Sequence, residues 1–297
     1  MSYERDDFAP LERAYPGLQI IWHETHQSLK KALAGAELID TWGIGPRWYE
    51  RAPVLEAVFT PAAGRDWVAE DPAGRVPLHM GTFHGPLIAE SLLGFMLHFN
   101  RRIPDMLENQ KRREWDRTIQ FPGSLLRNQH ALIIGYGAIG RDCAKLLAAI
   151  GMTVAGCQRT RAGGVDPDTG ARYCRPEDLN EEIPRADHVV MLLPGGDETR
   201  GFLSKELLAF AKPGSFVHNF GRGTTTLTED LLWALDEGKI AGVGLDVTEI
   251  EPLPVTSPLW THPKVFVQPH SSCVYDEYRP LHVQELVERL GPYLDGP

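Results

Sequence analysis

A run of glycines between a strand and a helix constrains this chain more than any other feature. Ala131–Ile134 is a short apolar stretch with strand character, and Gly135-Tyr136-Gly137-Ala138-Ile139-Gly140 follows it directly. The same six residues open an amphipathic helix that runs to about Ile150. G-x-G-x-x-G alone is a weak signal, but a strand before it and a helix after it make it specific for a dinucleotide. Gly135 allows a tight turn, Gly137 lets the backbone approach a pyrophosphate, and Gly140 permits close helix–strand packing. The helix N-terminus adds unpaired N–H groups and partial positive charge for the phosphates.

The next predicted strand, Thr153–Cys157, should end at the residue that meets the adenosine ribose. Dinucleotide sites that read a free 2′-hydroxyl carry Asp or Glu there, about 20 residues on. This chain carries Gln158-Arg159-Thr160-Arg161. Glutamine removes the repulsion that an acid would exert on a 2′-phosphate, and two arginines offer it charge-assisted hydrogen bonds. The expected cofactor is therefore NADP(H), with NAD(H) left open.

Strand and helix signals alternate on both sides of this motif. Upstream, LQIIW (18–22), ELIDTW, LEAVFT and VPLHM predict strands, and 28–37 predicts a helix with Ser28 as N-cap. A long helix starts at Pro86, apolar around much of its surface, as in a helix buried between two bodies. Downstream, DHVVMLL, SFVHNF, AGVGLDV and VFVQ predict strands, SKELLAFA and TEDLLWALDEG helices, and about 276–294 a last helix. Such alternation predicts an α/β fold with parallel sheets. At 297 residues, two domains are expected. We place a doubly wound, Rossmann-type nucleotide domain at 86–271 and a discontinuous second domain at 1–85 plus 272–297.

Composition limits the partners. The net charge of −10 argues against nucleic acid or an anionic membrane. No run approaches the ~18 apolar residues of a membrane span, and the N-terminus MSYERDDF has no apolar signal region. Cys143, Cys157, Cys174 and Cys273 show no paired spacing, so neither a disulfide framework nor a metal site is expected, and the cytoplasm is the default.

Three further segments each follow a predicted strand: His218-Asn219-Phe220-Gly221-Arg222-Gly223, then Gly244-Leu245-Asp246-Val247 leading to Glu251-Pro252, then Gln268-Pro269-His270. In an open α/β sheet such positions line the ligand crevice. Arg222, Glu251 and His270 could therefore converge there.

These blocks, with LLPGGDETRG before them and PAAGRDWV and GPLIAESLLGFML in the N-terminal half, resemble the D-isomer-specific 2-hydroxyacid dehydrogenase family. The chain is most similar to its short NADPH-dependent glyoxylate/hydroxypyruvate reductase branch. The resemblance implies two doubly wound domains, the second flavodoxin-like, with a cleft between them, and reduction of a small anionic 2-oxoacid to the D-2-hydroxyacid. It implies that Arg222 holds the carboxylate, that His270 is the general acid/base and that Glu251 orients and tunes it. Leu193, Pro194, Thr199, Phe220, Gly221 and Asp246 would join the cofactor site, Asp246 through the nicotinamide carboxamide. Trp42, Ala63, Gly64 and Arg65 would join the substrate site. Relatives also imply a homodimer through the nucleotide domain, with Trp115 in the interface segment. Several residues depart from the family pattern: Arg65, Phe220 and Ser271-Ser272-Cys273. They leave the substrate open, and with it two other readings: a nucleotide-sensing binding protein of corepressor type, and a dehydrogenase for another small anion.

Overall fold

The computed structural model describes residues 3–117, 125–161 and 163–294. Residues 1, 2 and 295–297 of the expected second domain lie outside the described residues. The chain divides into two compact units, Met1–His84 with Val274–Pro297, and Gly85–Cys273.

The first unit holds three parallel strands, β1 (Leu38–Asp40), β2 (Ala57–Thr60) and β3 (Leu78–Met80), in the order β1-β2-β3. Alternation along β2 serves two cores, as the period-2 geometry of a strand requires. Val58 packs with Leu33, Ile39 and Tyr49. Ala57 and Phe59 pack with Phe8, Leu11 and, from the Tyr278–Leu294 helix, Val283, Leu286 and Leu290.

Two local expectations fail here. Leu18–Trp22 forms no strand. Leu18 and Ile20 lean on the Phe8 core, but Ile21 is 65% exposed and Trp22 is 36% exposed. Two inward side chains bury part of the segment, which does not join the β1-β2-β3 sheet. The helix expected from Ser28 spans His26–Ala32 instead, because the Thr25 side chain accepts the Ser28 N–H and caps it.

The second unit is built on seven parallel strands: β4 (His130–Ile134), β5 (Thr153–Cys157), β6 (Arg172–Cys174), β7 (His188–Met191), β8 (Phe216–Asn219), β9 (Gly242–Leu245) and β10 (Val265–Val267). Their order is β10-β9-β8-β7-β4-β5-β6. Both faces are covered, so successive residues of each strand enter opposite cores. Leu132 and Ile134 face the layer that holds Leu231 and Leu235. Ala131 and Ile133 face the Gly85–Asn100 and Ala138–Ala149 helices through Leu92, Met96, Ala144 and Leu147. β6 was not expected: at three residues, headed by an arginine, it has too little pattern to read.

Among the described residues no helix is long and apolar enough to cross a membrane.

A buried polar chain crosses the sheet. His188 Nδ1 lies 3.0 Å from His218 Nε2, His188 Nε2 lies 3.1 Å from Gln129 Oε1, and Gln129 Nε2 donates to Asn100 Oδ1 at 3.3 Å. Burial pushes His188 down to about 4 and His218 well below the usual histidine range. Between about pH 6.5 and about pH 4 the unfolded chain therefore binds more protons than the folded one, and stability falls as pH falls. His188 alone should contribute up to ~1.4 kcal/mol per pH unit across that window. Urea denaturation midpoints at about pH 7 and about pH 5 should show this slope, and His188→Gln should reduce it. An unchanged slope in the variant would remove His188 as its source.

Candidate active site

Because every neighbour in the seven-stranded sheet is parallel, the carboxyl ends of β4, β8, β9 and β10 share one edge. Strand order reverses between β4 and β7, which opens a crevice at that edge. Gly135, Arg222, Asp246 and His270 all lie in loops that leave these ends.

At the end of β4, Gly135 has φ +102°, and a Cβ there would sit 2.6 Å from the Leu192 carbonyl carbon. A Cβ on Gly140 would lie 2.8 Å from the Gly135 carbonyl oxygen, so the helix can approach the strand only without one. Gly137 meets nothing within 4 Å; its face of the turn, at the start of the Ala138–Ala149 helix, is open. Turn, close packing and open face together fit a bound pyrophosphate. The Tyr136 ring is buried over Gly156, and its hydroxyl lies 2.7 Å from Thr169 Oγ1 and 3.3 Å from Asp166 Oδ2. Tyr136 thus anchors the turn from behind, and Ile139 packs against the same core.

At the end of β5, the Gln158 N–H donates to the Cys174 carbonyl at 3.0 Å. Its side-chain Nε2 is buried without a hydrogen-bond partner. Arg159, Thr160 and Arg161 are exposed. Arg159 Nη1 lies 3.2 Å from Glu198 Oε2. Arg161 Nη1 donates to the Tyr173 hydroxyl at 3.3 Å and its guanidinium lies 5.6 Å from that ring. The sequence reading gave no role to Glu198 or Tyr173; β6 went unread, and in the LLPGGDETRG block nothing local ties Glu198 to Arg159. In that loop the Thr199 hydroxyl donates to the Pro194 carbonyl at 2.7 Å, closing the turn after Leu193.

After β8, fully buried Asn219 organises the turn that carries Arg222. Its Nδ2 donates to the Arg222 carbonyl at 3.1 Å and to Thr226 Oγ1 at 2.8 Å, while its Oδ1 accepts the Gly221 N–H at 3.1 Å. Gly221 sits so close to Leu193 that a Cβ would lie 2.4 Å from the Leu193 carbonyl oxygen. Phe220 turns its ring into the core, 4.8 Å from Phe95. Arg222 is half-buried, with Nη1 donating to the Gly221 carbonyl at 2.9 Å.

The third group hangs on buried Asp246. Its Oδ1 accepts the Ser271 N–H at 2.8 Å and the Ser272 N–H at 3.0 Å, and its Oδ2 accepts the Ser272 hydroxyl. Its backbone carbonyl accepts the His270 N–H at 2.7 Å. Burial raises this carboxyl above the usual range, against those hydrogen bonds. Both oxygens are engaged within the protein, so Asp246 first serves to hold the loop in which His270 adopts a left-handed φ of +49°. His270 Nδ1 lies 2.8 Å from Glu251 Oε2, and Glu251 Oε1 accepts the Thr248 N–H at 3.0 Å. The pair is partly exposed, with His270 Nε2 the ring nitrogen not engaged by Glu251.

The remaining expected site residues belong to the first unit. Trp42 stacks on Tyr278 with 6.1 Å between ring centroids. Ala63 and Gly64 form the approach to a short turn that starts at Arg65, which is exposed and paired with Glu70. Among the described residues, no group of three or more His, Cys, Asp or Glu could hold a metal ion.

The family model described as D-isomer specific 2-hydroxyacid dehydrogenase, NAD binding domain, matches residues 93–272. Glyoxylate/hydroxypyruvate reductase B of Serratia proteamaculans (strain 568) is 31% identical over 281 residues, covering 92% of this chain and 86% of that protein. Reductase A of the same organism is 31% identical over 231 residues, 74% of this chain and 71% of that protein. Among solved structures, a D-isomer specific 2-hydroxyacid dehydrogenase family protein from Aeromonas salmonicida superposes with a TM-score of 0.80 at 28% identity, covering 98% and 93% of the two chains. The NADPH-dependent glyoxylate/hydroxypyruvate reductase from Sinorhizobium meliloti, in complex with NADP and sulfate, gives a TM-score of 0.78 at 27% identity, covering 99% and 94%. With the glycine turn on a parallel sheet and a match over more than half its length, this chain belongs to the D-isomer-specific 2-hydroxyacid dehydrogenase family.

Proposed function

We propose that this oxidoreductase reduces a small 2-oxoacid of the glyoxylate or hydroxypyruvate type to the D-2-hydroxyacid, with NADPH as the preferred cofactor. The observation that carries this reading is the 2.8 Å His270–Glu251 pair, on the same sheet edge as Arg222 and the open glycine turn. When bound, the cofactor supplies the hydride. Gly135, Gly137 and the N-terminus of the Ala138–Ala149 helix would hold its pyrophosphate, and Gln158, Arg159, Thr160 and Arg161 its adenosine ribose. Arg222 binds the substrate carboxylate, for which a planar guanidinium is suited. His270 carries a proton on Nε2 for the carbonyl oxygen, which gains negative charge during reduction. Glu251 fixes the ring through Nδ1, sets its tautomer and stabilises the imidazolium. Asn219 and Asp246 position Arg222 and His270. Trp42, Ala63, Gly64 and Arg65 are proposed as substrate contacts.

Exposed Leu97, Ile103, Leu107 and Trp115 support a homodimer through the nucleotide-binding unit. Sedimentation velocity would test it: a dimer is expected, weakened by Leu107→Glu.

Three kinetic experiments test the chemistry. NADPH oxidation should follow addition of glyoxylate or hydroxypyruvate; silence on these and on phenylpyruvate would overturn the reading. His270→Ala should lower kcat by ~10²–10⁴-fold, the usual worth of a general acid, while the NADPH Kd stays near wild type. The double variant Arg159→Ala/Arg161→Ala should raise KM for NADPH by roughly tenfold to a hundredfold and leave KM for NADH within about threefold. Equal effects on both cofactors would refute a 2′-phosphate contact.

A further inference from the structure

We propose that Cys157 and Cys174 form a reversible dithiol–disulfide pair that sets the strength of dinucleotide binding. The two residues end adjacent parallel strands and are register partners there. Both enter the same buried cluster, so both thiols lie on one face of the sheet. Neighbouring strands run ~4.8 Å apart, inside the ~4.4–6.8 Å Cα separation that a disulfide spans. The neighbouring Cys157 thiol, with Arg172, holds the Cys174 thiol below the usual cysteine value against its burial, which suits Cys174 to be the attacking sulfur.

Their carbonyls hold the loops that face the cofactor. The Cys157 carbonyl accepts the N–H groups of Gly135 at 3.2 Å and Tyr136 at 3.0 Å, and the Cys174 carbonyl accepts the Gln158 N–H. Drawing the two strand ends together therefore shifts the pyrophosphate turn and the ribose loop at once. Side chains on one face of parallel strands keep about the strand spacing, close to the ~3.5–4.5 Å Cβ separation of a disulfide. Access is through β6, a three-residue strand at the edge of the sheet, bonded to β5 on one side and, through the Tyr173 N–H, to the Gly164 carbonyl at 3.1 Å on the other.

The oxidant is a small peroxide. The Cys174 thiolate attacks one peroxide oxygen; the O–O bond breaks, giving a sulfenic acid and a hydroxide that takes up the thiol's released proton. The Cys157 sulfur then attacks the sulfenic sulfur. The S–S bond forms, the S–O bond breaks, and water leaves with the Cys157 proton. Two thiols and one hydrogen peroxide give one disulfide and two waters, and a dithiol reductant reverses the change.

The test treats the full chain with hydrogen peroxide, blocks residual thiols and maps peptides by mass spectrometry. A Cys157–Cys174 cross-link that dithiothreitol removes is expected. NADPH titrations should show about tenfold weaker binding after oxidation, within the usual range for coupling between sites. By linkage, saturating NADPH should raise the pair's reduction potential by ~30 mV. Cys174→Ala, or Cys174→Val where alanine lowers stability, should show no change in NADPH binding on oxidation. Free thiols, or sulfinic acid without a bridge, would overturn the proposal. So would a bridge that leaves the NADPH Kd unaltered. The affinity readout rests on the cofactor reading above. Reduced protein that binds neither NADPH nor NADH would sink both, and the peptide map does not depend on it.

Discussion

The direction of seven strands governs everything functional in this molecule. Because each runs parallel to its neighbours, every connection must return over a face of the sheet, and every loop that follows a strand leaves from the same edge. Gly135, Arg222, Asp246 and His270 are far apart in the chain but follow the ends of strands β4, β8, β9 and β10. Burial of both faces makes that arrangement rigid. Leu132 and Ile134 enter one core, Ala131 and Ile133 the other, so a one-residue slip would exchange the two sets.

Two buried polar residues convert the edge into a site. Asn219 spends its amide on the turn that carries Arg222, and Asp246 spends its carboxylate on the Ser271-Ser272 segment beside His270. Neither could be left unpaired at such depth without a large penalty. Their hydrogen bonds hold a left-handed histidine that the chain alone would not favour. The departure from the family pattern at Ser272 thereby acquires a physical role: its hydroxyl joins two backbone N–H groups in satisfying a buried carboxylate.

Much of this was legible from residues. The apolar runs at 131–134, 188–191, 216–219 and 242–245 are long enough to read as strands, and the glycine pattern declares its own turn. Not every element was. Arg172–Cys174 is headed by an arginine and, unlike the equally short Leu38–Asp40, Leu78–Met80 and Val265–Val267, lies in no apolar run, so β6 went unread, and with it Tyr173 beside Arg161. Leu18–Trp22 alternates like a strand, yet side-chain burial alone holds it, because alternation reports a buried face and not a hydrogen-bonded neighbour. Ser28 and Thr25 are both favourable caps by type; which one serves depends on where the chain turns.

The sequence by itself determined the kind of fold and the kind of chemistry, since periodicity, glycine spacing and the order of Arg222, Glu251 and His270 are local properties of the chain. Only the tertiary structure decided which groups meet. The Cys157 and Cys174 spacing says nothing until two strands lie in register, and the hold of Asp246 on the His270 loop shows only once Ser271 and Ser272 close on it. Those outcomes depend on long-range packing, which brings together residues that no local pattern relates.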